Sequence, residues 1–283
     1  VVVSSLSTSK VRDLIAPKAT NPNSIRRKLG RIYSPLMEKH EIDIRIITST
    51  STKQGNPVIP WKHCIWDKKR RRSFRDYEDG KLNKREEMIS AYTPVKIPLG
   101  SQKYCNNCWE WFGSEAETGT DECPICNSKG SIKSRKREIT GWIGVQRFFS
   151  GTRTRPYSSH YGIDLVRNGR VIEELSKDFF TTIETDGTPR PDYPLEGYDQ
   201  GRIVGSLDIS FCQCDVKKDV FKRATENWRL VMEKIQGNGL RPNVSKKDRG
   251  VFVSTPLNRM TRAWGSAKIS IKDGILPGIK TLI

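Results

Sequence analysis

Four of the chain's seven cysteines fall into two C-x-x-C pairs, Cys105-Asn106-Asn107-Cys108 and Cys123-Pro124-Ile125-Cys126, with fourteen residues between them. Each tight C-x-x-C turn offers two thiolates to one ion, and two such turns facing each other supply the four soft donors that tetrahedral zinc prefers. A secreted disulfide framework or a single redox C-x-x-C would not produce this doubled spacing. The intervening stretch fits two brief strands, so the segment predicts a zinc ribbon over about 104–128. Such a segment is too small for a core of its own and draws folding energy from its metal. The remaining cysteines, Cys64, Cys212 and Cys214, read as small apolar residues in strands or core.

The ribbon's neighbours leave two roles open. Trp109, Trp111 and Phe112 lie beside the first knuckle, and Lys129, Lys133, Arg135, Lys136 and Arg137 follow the second. Aromatics interleaved with cations suit nucleic acid, by stacking and phosphate contact. The plainer role is packing of those aromatics on the parent domain.

Charge points the same way as the cations around the ribbon. Lysine and arginine number 50 against 32 aspartates and glutamates, a net charge of +18 across 283 residues. A charge of that size favours polyanions through counterion release, nucleic acid before acidic membrane surfaces. No stretch approaches the ~20 apolar residues of a membrane-spanning helix, and Val1–Ser5 is too short for a signal peptide's core. A cytoplasmic, soluble protein with no membrane partner is expected. The start at Val1, in an apolar β-branched run, and the end at Leu282-Ile283 predict a piece of a longer protein.

Periodicity gives an α+β class. A helix is predicted from about Ile25 to Lys39, with Ile25, Leu29, Ile32, Leu36 and Met37 on one face. Arg26, Arg27, Lys28 and Arg31 surround that stripe. Strands are predicted at Glu41–Ile47, Val95–Leu99, within Ser131–Phe149, and at Arg202–Phe211. Asn168-Gly169 marks a hairpin between Tyr161–Arg167 and Arg170–Glu174. A second helix is expected over Phe221–Gln236. Residues 51–90 and 181–200 read as loops, and beyond Gly237 the pattern gives basic loops with a short apolar ending. The run Lys68-Lys69-Arg70-Arg71-Arg72 reads equally as a solvated loop or as a grip on a phosphate backbone.

Three stretches carry a resemblance. Val1-Val2-Val3-Ser4-Ser5-Leu6 resembles the last ATPase-domain strand of the GHKL superfamily (gyrase, heat-shock chaperone, histidine kinase, MutL). Asn21-Pro22-Asn23-Ser24-Ile25-Arg26-Arg27-Lys28-Leu29 is similar to the linker helix of MutL-like proteins. His160-Tyr161-Gly162-Ile163-Asp164-Leu165-Val166-Arg167-Asn168-Gly169-Arg170 resembles a transducer hairpin of MORC-type members. Gly201–Asp208 and Lys217-Lys218-Asp219-Val220-Phe221 follow it.

The resemblance implies a transducer domain with a mixed sheet and two main helices. Residues 1–20 would end an ATPase domain, 21–99 and 133–236 would form the transducer, 100–132 the inserted ribbon, and 237–283 a basic tail. It also implies that a loop lysine reaches the γ-phosphate of ATP held with Mg2+ in the neighbouring domain. Spacing before Phe221 favours Lys218, with Lys217 as the alternative; the plainer reading is two solvated lysines. The asparagine-bearing helix and glycine-rich lid of that family, and any P-loop, are absent from this sequence, so ATP would be bound by a part preceding Val1. The implied protein is an ATP-dependent homodimeric clamp on DNA, gripping the backbone through the helix at 25–39, the 68–72 run and the ribbon.

A histidine-based active site is thinly supplied by His40, His63 and His160. His63-Cys64 would point to opposite faces of a strand, which disfavours a nucleophile pair. Asp164, Glu173, Glu174 and Asp208 show no spacing that singles out a nuclease. A non-enzymatic adaptor built on the ribbon is the competing class.

Overall fold

The computed structural model describes residues 23–47, 54–63, 65, 69, 71–78, 81–112, 122–146, 161–183, 189–191, 203–215, 217–237 and 255–264. The expected strand at Val1–Ser5 lies outside them. The chain divides into two compact units, residues 1–62 with 166–172 and residues 63–165 with 173–283.

In the first unit, helix α1 spans Asn23–His40 and has Lys39 in its last turn, a cation suited to the negative end of a helix dipole. Pro35 sits inside it and cannot donate to the Arg31 carbonyl one turn back. The Ser34 hydroxyl donates to that carbonyl instead, at 3.2 Å. Gly30 lets the chain at 58–61 approach closely: a Cβ there would lie 2.1 Å from the Ile59 carbonyl oxygen. The Gly30 carbonyl accepts from the Trp61 N–H at 3.0 Å. The strand expected at Glu41–Ile47 contracts to β1, Arg45–Ile46, paired with β2, Asn56–Pro57. Ile42 and Ile47 are exposed and Ile44 and Ile46 only half-buried, so the segment packs no apolar face that would extend the strand.

The second unit is built on a five-stranded sheet in the order β5-β6-β11-β7-β8, comprising Tyr92–Cys105, Ile132–Val145, Ile203–Asp208, Gly162–Arg167 and Arg170–Ser176. The tip of the β7–β8 hairpin groups with the first unit. Asn168 (φ 51°) and Gly169 (φ 77°) both take the left-handed backbone that a two-residue type I′ turn requires. Ile139, Ile143, Ile163, Leu165, Ile203 and Leu207 are all but fully buried and form the sheet's core.

Two expected loops are corrected. Residues 51–90 contain an antiparallel hairpin, β3 (Arg71–Glu78) with β4 (Lys81–Ser90). Its charged, irregular pattern masks a strand, and its register shifts between Arg75 and Tyr77. Within 181–200, β9 (Thr181–Ile183) pairs with β10 (Pro189–Pro191).

The second predicted helix is shorter than expected. Helix α2 is Glu226–Ile235, and Thr225 caps it by accepting from the Trp228 N–H. Phe221 therefore lies outside the helix, in an isolated bridge with Cys214. Gly237 (φ 86°) ends the helical path, donating to the Met232 carbonyl. A third helix, α3 (Pro256–Trp264), occupies the tail expected to be loops. It buries Leu257, Met260, Ala263 and Trp264 along one face, and the Trp264 indole N–H donates to the Ile89 carbonyl. The architecture is mixed α+β and mostly strand, with no described helix long and apolar enough to cross a membrane.

Candidate metal centre

The two C-x-x-C turns meet at the far end of the β5–β6 hairpin. Cys105 is the last residue of β5, Cys108 closes the turn after it, and Cys123 and Cys126 precede β6. The four sulfurs lie within 4.8 Å of one another, the one such group of ligating residues among the described residues. Cys105 Sγ lies 3.7 Å from Cys126 Sγ, and Cys108 Sγ lies 3.6 Å from Cys123 Sγ. A disulfide needs about 2.05 Å. A tetrahedron with metal–sulfur bonds of about 2.3 Å has edges of about 3.8 Å, so the donor set and spacing fit an ion such as zinc.

The two turns repeat each other. Trp109 N–H donates to the Cys105 carbonyl at 2.9 Å, and Asn127 N–H donates to the Cys123 carbonyl at 2.8 Å. Trp109 (φ 62°) and Asn127 (φ 55°) occupy the same left-handed position after their second cysteine. Asparagine tolerates that conformation, whereas tryptophan is strained there. The Trp109 side chain is nevertheless 59 % exposed.

Hydrogen bonds favour the thiolate at two of the four sulfurs, Cys105 and Cys126. Cys105 Sγ accepts from the backbone N–H of Asn107 and Cys108 and lies 3.2 Å from the Ser131 hydroxyl. Burial alone would raise its thiol, but Ser131 and those amides prevail and lower it to about 6. The Asn107 side-chain amide, foremost, lowers Cys126. Burial, reinforced by the neighbouring thiols, pushes Cys108 up to about 12. A bound divalent ion would deprotonate all four.

Behind the cysteines the hairpin is braced against α2. The β5–β6 register shifts between Pro98 and Ser101, and Gly100 (φ 77°) sits in that bulge. Arg137 donates to the Leu99 carbonyl at 3.0 Å and to Asn227 Oδ1 at 2.8 Å. Asn227 in turn donates to Gln102 and to the Phe211 carbonyl. Trp111 and Phe112 are buried, which gives them the packing role. The strand β5 runs through the boundary expected at residues 99 and 100.

The other cations have varied fates. Arg27, Lys28, Lys69, Arg71, Lys133, Arg135 and Lys136 are exposed, with Arg135 stacked over Tyr104. Arg26 donates to the Pro57 carbonyl. Arg31 is 7 % exposed and lies over the Trp61 ring, so it turns inward. Lys68 and Arg70 lie outside the described residues, as does the side chain of Arg72.

Lys217 and Lys218 are exposed on a loop closed by Asp215. Asp215 N–H donates to the Val220 carbonyl, and the Asp215 carboxylate accepts from the N–H groups of Asp219 and Val220. Partial burial opposes ionisation of that carboxyl, yet the loop amides hold it below its usual range. Lys218 itself takes φ 57° and donates its N–H to the Asp215 carbonyl.

One cluster escaped sequence reasoning. His63 Nε2 lies 2.8 Å from Asp164 Oδ2, across 101 residues, and both side chains are largely buried. Asp164 also accepts from the Leu175 N–H. Beside them Lys177 donates to the Tyr161 carbonyl and packs over the Tyr161 ring. Burial lowers Lys177 to about 8, against the pull of Asp164. Only the fold joins these residues, so no spacing signals them. Cys64 lies outside the described residues, while Cys212 and Cys214 are buried as expected. No protein-family model matches this chain, and no curated protein or solved structure matches it either.

Proposed function

We propose that this chain is the transducer-type part of a GHKL-type, MORC-like or MutL-like ATP-dependent clamp acting on DNA. In this reading the four cysteines hold a structural zinc ion in an inserted ribbon. Lys218 reaches the γ-phosphate of ATP, bound with Mg2+ in a neighbouring domain of the full-length protein, and ATP closes two protomers around DNA.

Lys218 is the observation that carries the reading. A left-handed backbone at a residue other than glycine costs roughly 1 kcal/mol, and such strain gathers at functional positions. Here it falls on an exposed lysine in a loop that Asp215 braces from both ends. A pre-positioned ammonium is what stabilises charge building on a transferred phosphoryl group. Lys218 precedes α2 by several residues, so the loop, and not the helix end, would deliver it.

The test is ATP hydrolysis by the full reading frame, with and without duplex DNA. Lys218→Ala is expected to lose on the order of 10²-fold in turnover, the scale of one lost charge-stabilising donor. Lys217→Ala is expected to stay close to wild type. Unchanged turnover in Lys218→Ala would remove the assignment.

A second reading, a non-enzymatic nucleic-acid adaptor, is favoured by the exposed Trp109 beside the knuckle and by exposed Lys133, Arg135 and Lys136 on β6. Tight DNA binding with no ATP hydrolysis by the full reading frame would select it.

A further inference from the structure

A groove of about 660 Å³ opens within the second unit, between the β3–β4 hairpin, β5, the end of α2 and the start of α3. β5 contributes the whole edge stretch 92–97 to its lining, side chains of both strand faces included. Among the described residues four cations line it: Arg71 at the start of β3, Lys96 on β5, Lys234 in the last turn of α2 and Arg259 on α3. Among the same residues Glu233 is the sole lining carboxylate, and its oxygen lies 2.9 Å from Lys234 Nζ. Lys96 has Glu138 at 3.7 Å, but its side chain is 77 % exposed, which leaves that pair weak.

The groove's wall argues against a peptide strand as occupant. β5 is an edge of the five-stranded sheet. Pro94 pairs with Trp142 and Pro98 with Glu138, and a proline cannot donate to its partner strand. In an antiparallel ladder the residues at 94, 96 and 98 therefore direct their backbone groups outward. Two of those three lack an N–H, and the Tyr92 N–H is taken by the Ser90 hydroxyl. Strand addition needs alternating donors and acceptors along the edge, and between Tyr92 and Pro98, the part that walls the groove, the edge offers one outward donor, at Lys96.

We infer that this groove is a docking site for the sugar–phosphate backbone of duplex DNA, held by Arg71, Lys96, Lys234 and Arg259. Charge complementarity selects the occupant: among the described residues the lining carries four cations against one carboxylate, which leaves an excess of three positive charges after the Glu233–Lys234 pair, in a chain of net charge +18. Met88, 55 % exposed at the groove, offers the sugar an apolar surface. The site rests on the DNA reading above and names where the backbone lies. It uses one residue of the 68–72 run and three cations that sequence spacing does not connect.

The experiment is anisotropy titration of a labelled duplex with the 283-residue chain over a range of salt. The groove set is Arg71→Gln/Lys96→Gln/Lys234→Gln/Arg259→Gln, and Met88→Glu is a second variant that adds one negative charge there while keeping all four cations. The control Lys62→Gln/Arg170→Gln/Lys222→Gln/Arg229→Gln removes equal charge from exposed sites elsewhere. Thermal midpoints matching wild type certify the fold of each. The groove set is expected to bind at least tenfold more weakly at low salt, with the log–log salt slope shallower by about 0.9 for each phosphate that is no longer neutralised. Met88→Glu should weaken binding, and the control should keep most of the wild-type slope. Equal losses in groove and control sets would overturn the groove while leaving DNA binding in place. No duplex binding by wild type would overturn both. Phosphatidylserine vesicles that displace the duplex at equal phosphate from wild type, but not from the groove set, would assign the groove to a membrane surface and overturn DNA as its occupant.

Discussion

Lys177 illustrates how a single side chain can set the pH response of a fold. Its ammonium is partly withdrawn from water beside the Tyr161 ring, and burial lowers it to about 8, below its ordinary value of about 10.4. Between those values the unfolded chain binds the proton and the folded chain does not, so folding becomes more favourable as pH rises through that window. The contribution is complete above about 10.4 and is lost as pH falls through 8. Urea melts at pH 7.5, 8.5 and 9.5 are expected to show this rise in wild type and a flatter profile in Lys177→Met. The same scale shows what spacing can encode. The four cysteines are legible because each pair is local and each turn repeats the other. His63 and Asp164 are not, because 101 residues separate them and only the packed strands bring them together. Arg31 and Arg137 resemble their basic neighbours in sequence, yet one lies on Trp61 and the other pins Leu99 to Asn227.

Among elements, α1 depends on a residue that helix propensity disfavours. Glycine costs about 1 kcal/mol against alanine inside a helix, so Gly30→Ala would ordinarily stabilise. Here the added methyl meets the Ile59 carbonyl oxygen and would push the chain at 58–61 away, breaking the Trp61–Gly30 hydrogen bond. A net loss of about 1–3 kcal/mol is expected from this overpacking, read as a lower urea midpoint. Elements with a clean apolar period are readable in the sequence, α1 and the β7–β8 hairpin to within a turn and α2 with its start placed five residues early. The β3–β4 hairpin is not, because its arginines, lysines and acids carry no alternation of apolar and polar residues. Helix α3 escaped because its apolar face is short and the basic stretch before it drowns the period. Thr225 explains the trimmed start of α2: its hydroxyl caps the helix four residues after Phe221.

For the whole molecule, the four-cysteine cluster and the sheet are separate sources of order. Among the described residues the knuckles have Phe112 and Ile132 packed against the cysteines, whereas the sheet core is all but fully buried without them. Metal analysis is expected to give one zinc per chain. Chelation, or Cys105→Ser with Cys123→Ser, should raise amide exchange at Asn106 and Asn127 while leaving β11 protected. If β11 lost protection as well, the cysteines would be part of the core's own cooperativity. The register of β5 on β6 has a mechanical consequence. The pairing runs from Tyr92↔Gly144 to Cys105↔Ile132, interrupted by the bulge between Pro98 and Ser101, and a slip of one residue would turn Ile139 and Ile143 to the wrong face. Two-residue steps of about 7 Å are the smallest slides the pleat permits. The cysteine tip is thus the end of a stiff pointer without slack, and a fluorophore on it would report the tilt of the sheet.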